Sequence, residues 1–280
     1  MSRIAQKFQA LKQQGRRGLI PYIAAGDPEP WITIPLMHAL VKSGADILEL
    51  GVPFSDPMAD GPVIQRAAER ALKHKISLKQ VLAMVSEFRG KDKTTPVILM
   101  GYLNPIEAMG YERFAREAAE SGVDGVLTVD LPPEEAEGFQ SAMREHRLDS
   151  IFLLSPTSPP DRIKLIAQAA SGFIYYVSLR GVTGASNLDV GEVSAKLKKI
   201  RSQTDLPLGV GFGISSPETA AQVAEFADAV IVGSAVVKRI EELVAVPDKI
   251  LTEVPAFIAR LREAMDLVTV IPPSATGAIR

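Results

Sequence analysis

Pro207-Leu208-Gly209-Val210-Gly211-Phe212-Gly213-Ile214-Ser215-Ser216-Pro217-Glu218 contains the unit from which the rest of the chain is read. Its first four residues form a short apolar run of the kind that makes a strand. Glycines stand at 209, within the run, and at 211 and 213 after it; Ser216 is then where a helix cap is needed, with Pro217 suited to the first helical turn. The segment therefore reads as a strand over 207–210, a glycine turn, and a helix over 217–226.

The same alternation extends outward in both directions. Short apolar runs, many β-branched, predict strands at 18–24, 45–50, 96–101, 125–129, 150–154, 173–177, 207–210 and 229–232. Helical spacing fills the gaps at 31–43, 63–72, 77–88, 113–119, 134–146, 160–170, 190–200 and 217–226. A last helical segment covers 248–265, with Pro255 marking a kink or the true start. The strand runs are nearly continuous in apolar residues, which suits parallel strands covered by helices. Eight such units match a single (β/α)8 TIM barrel, whose usual length is about 250 residues. A doubly wound open sheet uses the same units and competes with it, but usually with a domain split. No linker or charge block interrupts the chain, so one domain over 1–280 is expected, with an extra N-terminal helix. In that helix Ile4, Phe8 and Leu11 share a face, Ser2 can cap the start and Gly15 can end it. The tail from about 270 to 280 lacks periodicity and is expected to fray.

Composition narrows the function classes. The chain has 280 residues, no cysteine, and 31 basic against 33 acidic residues. Disulfides, thiolate nucleophiles and cysteine-ligated metals are excluded, and no broad cationic field is left for nucleic acid or an anionic membrane. The charged N-terminus lacks a signal-peptide core, and no run approaches the ~18 apolar residues of a membrane span. A soluble cytosolic protein is expected. His38, His74 and His146 are scattered on helical segments without metal-ligand spacing, and Trp31 sits near a helix start as packing or cap.

In a barrel, reactive groups belong where strands end, at the C-terminal face. The second strand ends Ile47-Leu48-Glu49-Leu50-Gly51, and alternation puts Glu49 on one face with Ile47 and Gly51. A carboxylate there is either tied into a structural ion pair or desolvated, its pKa raised toward what a general acid/base requires. Next comes Val52-Pro53-Phe54-Ser55-Asp56-Pro57-Met58-Ala59-Asp60-Gly61-Pro62, stiffened by proline. Asp60-Gly61 alone reads as a turn; its place just beyond Glu49 makes Asp60 a second candidate. The seventh and eighth strands end in Gly211-Phe212-Gly213 and Gly233-Ser234, where glycine and a helix N-terminus suit an anion as well as a tight turn. Ser178-Leu179-Arg180-Gly181-Val182-Thr183-Gly184-Ala185-Ser186-Asn187 suits a closing lid or a plain flexible connection. The histidines offer no Ser-His-Asp arrangement, so carboxylate chemistry on a phosphorylated small molecule is what remains.

The stretch from Leu48 to Gln65 closely resembles the main motif of the tryptophan synthase α subunit family, as do Pro21-Tyr22-Ile23-Ala24-Ala25-Gly26-Asp27-Pro28, Gly181-Val182-Thr183-Gly184 and Gly211-Phe212-Gly213-Ile214. The resemblance runs through almost the whole chain in order. It implies a lyase that cleaves indole-3-glycerol phosphate to indole and glyceraldehyde 3-phosphate, without cofactor, in tryptophan biosynthesis. Glu49 matches the family's acid/base residue and Asp60 the carboxylate facing the indole nitrogen. Gly184, Gly213, Gly233 and Ser234 match the phosphate site. Tyr22, Met100, Leu127, Tyr175, Phe212 and Ile231 match the indole pocket, with Thr183 on the lid. Arg180 is a charged residue on that lid. The family also implies a pyridoxal-phosphate-bearing β subunit in an α2β2 heterotetramer. A stand-alone lyase, a phosphosugar isomerase or epimerase on the same barrel, and a non-catalytic regulatory subunit are the alternatives.

Overall fold

A computed structural model of the chain describes residues 1–177, 190–211 and 213–268. Strands β1 (Gly18–Ala24), β2 (Leu48–Gly51), β3 (Val97–Gly101), β4 (Gly125–Thr128), β5 (Asp149–Leu154), β6 (Ile174–Val177), β7 (Leu208–Gly211) and β8 (Ala229–Val232) are parallel and close into a barrel in chain order. The continuous apolar runs have the expected cause: both strand faces are buried. Leu19, Leu48, Leu50, Leu99, Val126, Val210 and Val230 face outward to a shell of helices. Ile20, Ile47, Ile98, Leu127, Ile151, Phe173, Ala229 and Ile231 fill the interior. The closed sheet decides against the open one.

The N-terminal helix α1 (Arg3–Gln13) plugs the barrel. Ser2 caps it by accepting the Ala5 N–H, and Ile4 and Phe8 join the interior cluster, with Phe8 5.7 Å from Phe173 between ring centroids. The shell contains α2 (Pro30–Lys42), α3 (Pro62–Lys73), α4 (Leu78–Arg89), α5 (Leu103–Met109), α6 (Tyr111–Ser121), α7 (Glu137–Glu145), α8 (Pro160–Ala169), α9 (Val190–Arg201), α10 (Pro217–Ala224), α11 (Ser234–Glu242) and α12 (Ile250–Asp266). Ser216 caps α10 as the sequence predicts, in a capping box with Thr219.

The structure corrects several elements. Helices α5 and α11 are missing from the sequence reading. Pro105 interrupts the helical pattern of the first, and β-branched Val236 and Val237 blur the second into the preceding strand. Pro255 neither starts α12 nor divides it, because a 3-10 turn at Pro247–Lys249 leads into an unbroken helix from Ile250. Residues 134–136 belong to another 3-10 turn and its cap, ahead of α7. Strand β2 begins three residues later than expected, because Asp46 ties down the neighbouring strand instead, its carboxylate accepting the Leu19 N–H at 3.0 Å. Trp31 is half-exposed in α2, whose cap position is Glu29. The tail from 270 to 280 lies outside the described residues.

Asp46 belongs to a set of carboxylates at the N-terminal ends of the strands. Asp124 accepts the Val97 N–H at 2.8 Å and pairs with Arg89 and Arg3, and Asp228 accepts the Leu208 N–H at 2.9 Å. These acids are tied down, and at that end of a barrel they serve stability. Among the described residues, no helix is long and apolar enough to cross a membrane, and no group of three or more His, Asp or Glu could hold a metal.

Candidate active site

Glu49 lies at the opposite end and is treated differently. In β2 its Cα pairs in register with Tyr22 of β1 and Ile98 of β3, and since Leu48 and Leu50 face the helices, alternation turns Glu49 into the barrel. It is 1% exposed. Neither carboxyl oxygen has a hydrogen-bond partner among the described residues, which removes the ion-pair reading. Burial, and secondarily the charge of Asp60, pushes its pKa up to about 8. At neutral pH the group holds its proton.

Asp60 comes from the loop between β2 and α3. The loop is pinned from two sides. From α3, the Gln65 carboxamide donates to the carbonyls of Asp60 at 2.8 Å and Pro57 at 3.3 Å. From the end of β3, the Tyr102 hydroxyl donates to Asp60 Oδ2 at 3.1 Å and accepts the Ala59 N–H at 3.0 Å. Burial raises the Asp60 pKa to about 6, and the bond from Tyr102 opposes the rise. Between roughly these two values, one acid is neutral and the other ionised.

The two carboxylates share surroundings. The phenols of Tyr22 and Tyr175 are both held well above their usual range by burial and then by the charges of Asp60 and Glu49. Each ring is seated against a glycine: a Cβ on Gly51 would lie 2.1 Å from the Tyr22 hydroxyl, and one on Gly211 would lie 2.5 Å from that of Tyr175. Leu127 and Ile231 are buried in the interior cluster, and Met100 and Tyr175 pack partly buried against it. Leu127, Ile231 and Met100 thus give the barrel interior an apolar surface near the two acids and the two phenols.

Two features at the ends of β7 and β8 suit an anion. Gly213 takes the left-handed backbone (φ +66°), and no heavy atom of the described residues lies within 4 Å of where its Cβ would stand. Gly233 precedes α11, whose N-terminus has no side-chain cap and starts at exposed Ser234. The nearest atom to a Cβ on Gly233 would be Cβ of Tyr22, at 3.8 Å, so the helix end lies beside the pocket. Uncapped N–H groups with the helix's partial positive charge fit a phosphate. Arg180, Thr183, Gly184 and Phe212 lie outside the described residues. Tyr102 and Gln65 received no role from sequence, although an aromatic residue directly after the third strand was a signal that could have been read.

The tryptophan synthase alpha chain family model matches residues 8–266. The chain belongs to that family. A tryptophan synthase alpha chain from Nitrosococcus oceani is 63% identical over 266 residues, covering 95% of this chain and 98% of its own length. One from Thioalkalivibrio sulfidiphilus is 62% identical, over 95% of this chain and its full length. The crystal structure of tryptophan synthase subunit alpha from Legionella pneumophila superposes with a TM-score of 0.90 at 53% identity, covering 95% of this chain and 99% of that one. Family membership carries the alpha-chain role in tryptophan biosynthesis and the lyase class, cleavage of indole-3-glycerol phosphate. In this family the alpha chain has no cofactor of its own; pyridoxal phosphate belongs to the beta subunit, its partner.

Proposed function

We propose that Glu49 and Asp60 carry the cleavage of indole-3-glycerol phosphate. Glu49, neutral at working pH, protonates C3 of the indole. The ring nitrogen becomes electron-poor, and Asp60 stabilises that charge at the N–H. The Glu49 carboxylate then takes the proton of the side-chain hydroxyl adjacent to C3. The bond between that carbon and C3 breaks, its electrons return to the ring, and the carbon leaves as the aldehyde of glyceraldehyde 3-phosphate. Glu49 ends protonated, as it began. Tyr22, Met100, Leu127, Tyr175 and Ile231 enclose the ring, joined by Phe212, while Gly213, Gly233, Ser234 and Gly184 hold the phosphate and Thr183 closes over the site.

The observation that carries this reading is a buried Glu49, without a hydrogen-bond partner among the described residues, together with a loop-held Asp60 and an apolar floor. Such a floor suits a heterocycle better than a sugar, whose hydroxyls would need polar partners. Positioned acid/base chemistry supplies ~10²–10⁴-fold, the phosphate anchor and water exclusion the rest. Turnover of indole-3-glycerol phosphate by Glu49→Gln and Asp60→Asn tests it: each is expected to lose ~10²-fold or more, and near wild-type turnover by either removes that residue's role. We infer further that the chain works as one barrel domain, in the cytoplasm, within an α2β2 assembly. Light scattering of the mixed subunits tests the stoichiometry.

A further inference from the structure

Tyr102 stands between the end of β3 and the start of α5, with its side chain buried and its ring stacked on Phe54 at 5.1 Å between centroids. Its single oxygen accepts the Ala59 N–H and donates to Asp60 Oδ2. An oxygen engaged by a backbone N–H has its own hydrogen directed elsewhere, so the phenol is fixed as a donor to the carboxylate. The other carboxylate oxygen, Oδ1, has no hydrogen-bond partner among the described residues. The Gln65 contacts, by contrast, reach only the loop carbonyls.

We propose that Tyr102 is a positioning residue for the cleavage: it turns one Asp60 oxygen toward itself and presents the other to the indole nitrogen. The inference rests on the reading of Asp60 given above. Among the described residues, the titratable groups around Asp60 are Glu49 on β2 and the phenols of Tyr22 on β1 and Tyr175 on β6, with Asp130 facing Tyr102 from beyond β4. None of these favours the carboxylate form. The bond from Tyr102 is what opposes burial there, and the phenol itself stays protonated far above neutral pH.

Tyr102→Phe keeps the ring and removes the bond. Carbon-13 NMR of aspartate-carboxyl-labelled protein reads the Asp60 titration directly, with the resonance assigned by its loss in Asp60→Asn. The expected result is a pKa raised by roughly one unit, a kcat lowered roughly tenfold at pH 7 with KM nearly unchanged (about twofold from lost ionisation, the rest from lost positioning), and an acid limb of the pH profile displaced upward with the titration. Gln65→Ala, which loosens the same loop through its backbone, is expected to leave the Asp60 titration in place. An unmoved Asp60 resonance in Tyr102→Phe, or an equal displacement in Gln65→Ala, overturns the proposal. The failures separate cleanly. An active Asp60→Asn removes the role of Asp60 itself, whereas an inactive Asp60→Asn beside a Tyr102→Phe that matches wild type removes only that of Tyr102.

Discussion

Ionising Glu49 inside the barrel should destabilise the protein, and the size of the effect follows from its surroundings. The side chain is 1% exposed and its oxygens have no partners among the described residues. Its pKa rises from 4.5 to about 8 on folding. The folded state therefore retains a proton that the unfolded chain gives up, so the associated stability is complete below pH ~4.5 and is lost as pH rises through about 8. At ~1.4 kcal/mol per unit, the loss at pH 9 has a ceiling of roughly 5 kcal/mol. Water drawn to the carboxylate at the barrel mouth reduces it. Glu49→Gln cannot ionise, so the difference between the two proteins isolates this group from every other titration. Urea unfolding of both from pH 5 to pH 9 is the assay. The variant should match wild type within ~1 kcal/mol at pH 5 and be more stable by several kcal/mol at pH 9, the gap opening by ~1.4 kcal/mol per pH unit from about pH 5 to about 8 and levelling off above that. Parallel curves across that range would refute the claim that Glu49 is desolvated and holds its proton in the folded state.

Three further outcomes follow from the same geometry. The pH profile of kcat/KM should be bell-shaped, falling below about 6 as Asp60 takes a proton and above about 8 as Glu49 loses one; steady-state cleavage across that range checks it. Gly213→Ala puts a methyl group at a left-handed position next to the proposed phosphate site. It should cost ~1–2 kcal/mol in stability and raise KM for the phosphorylated substrate on the order of tenfold, as thermal unfolding and initial rates would show. Arg70→Met removes the partner that reaches buried Asp27 at 2.6 and 3.0 Å and also binds Glu241 of α11. It should destabilise by ~3–5 kcal/mol in urea, with part of the loss recovered by adding Asp27→Asn.

The barrel was legible because parallel strands covered on both faces write themselves as continuous apolar runs, and all eight appear within a few residues of their expected bounds. The inward face of Glu49 followed from simple alternation along Ile47, Glu49 and Gly51. What sequence left open there was whether the acid was paired, and that depends on groups brought in from other strands. The same limit hid Tyr102: its hydroxyl meets Ala59 and Asp60 some 42 residues away in the chain. The conformation of Gly213 and the bare N-terminus of α11 also needed coordinates, since glycine at a strand end reads equally as a turn. Helix α11 itself was obscured by Val236 and Val237, whose branching favours strand locally while burial against the barrel holds them in a helix.

The most direct test of the central claim is a crystal structure with a non-cleavable indolylalkyl phosphate bound. The indole nitrogen is expected within ~3 Å of an Asp60 oxygen, with C3 facing the Glu49 carboxyl and the phosphate on the N–H groups at Gly213 and Ser234. A ring whose C3 turns away from Glu49, or a phosphate bound anywhere else, would contradict it.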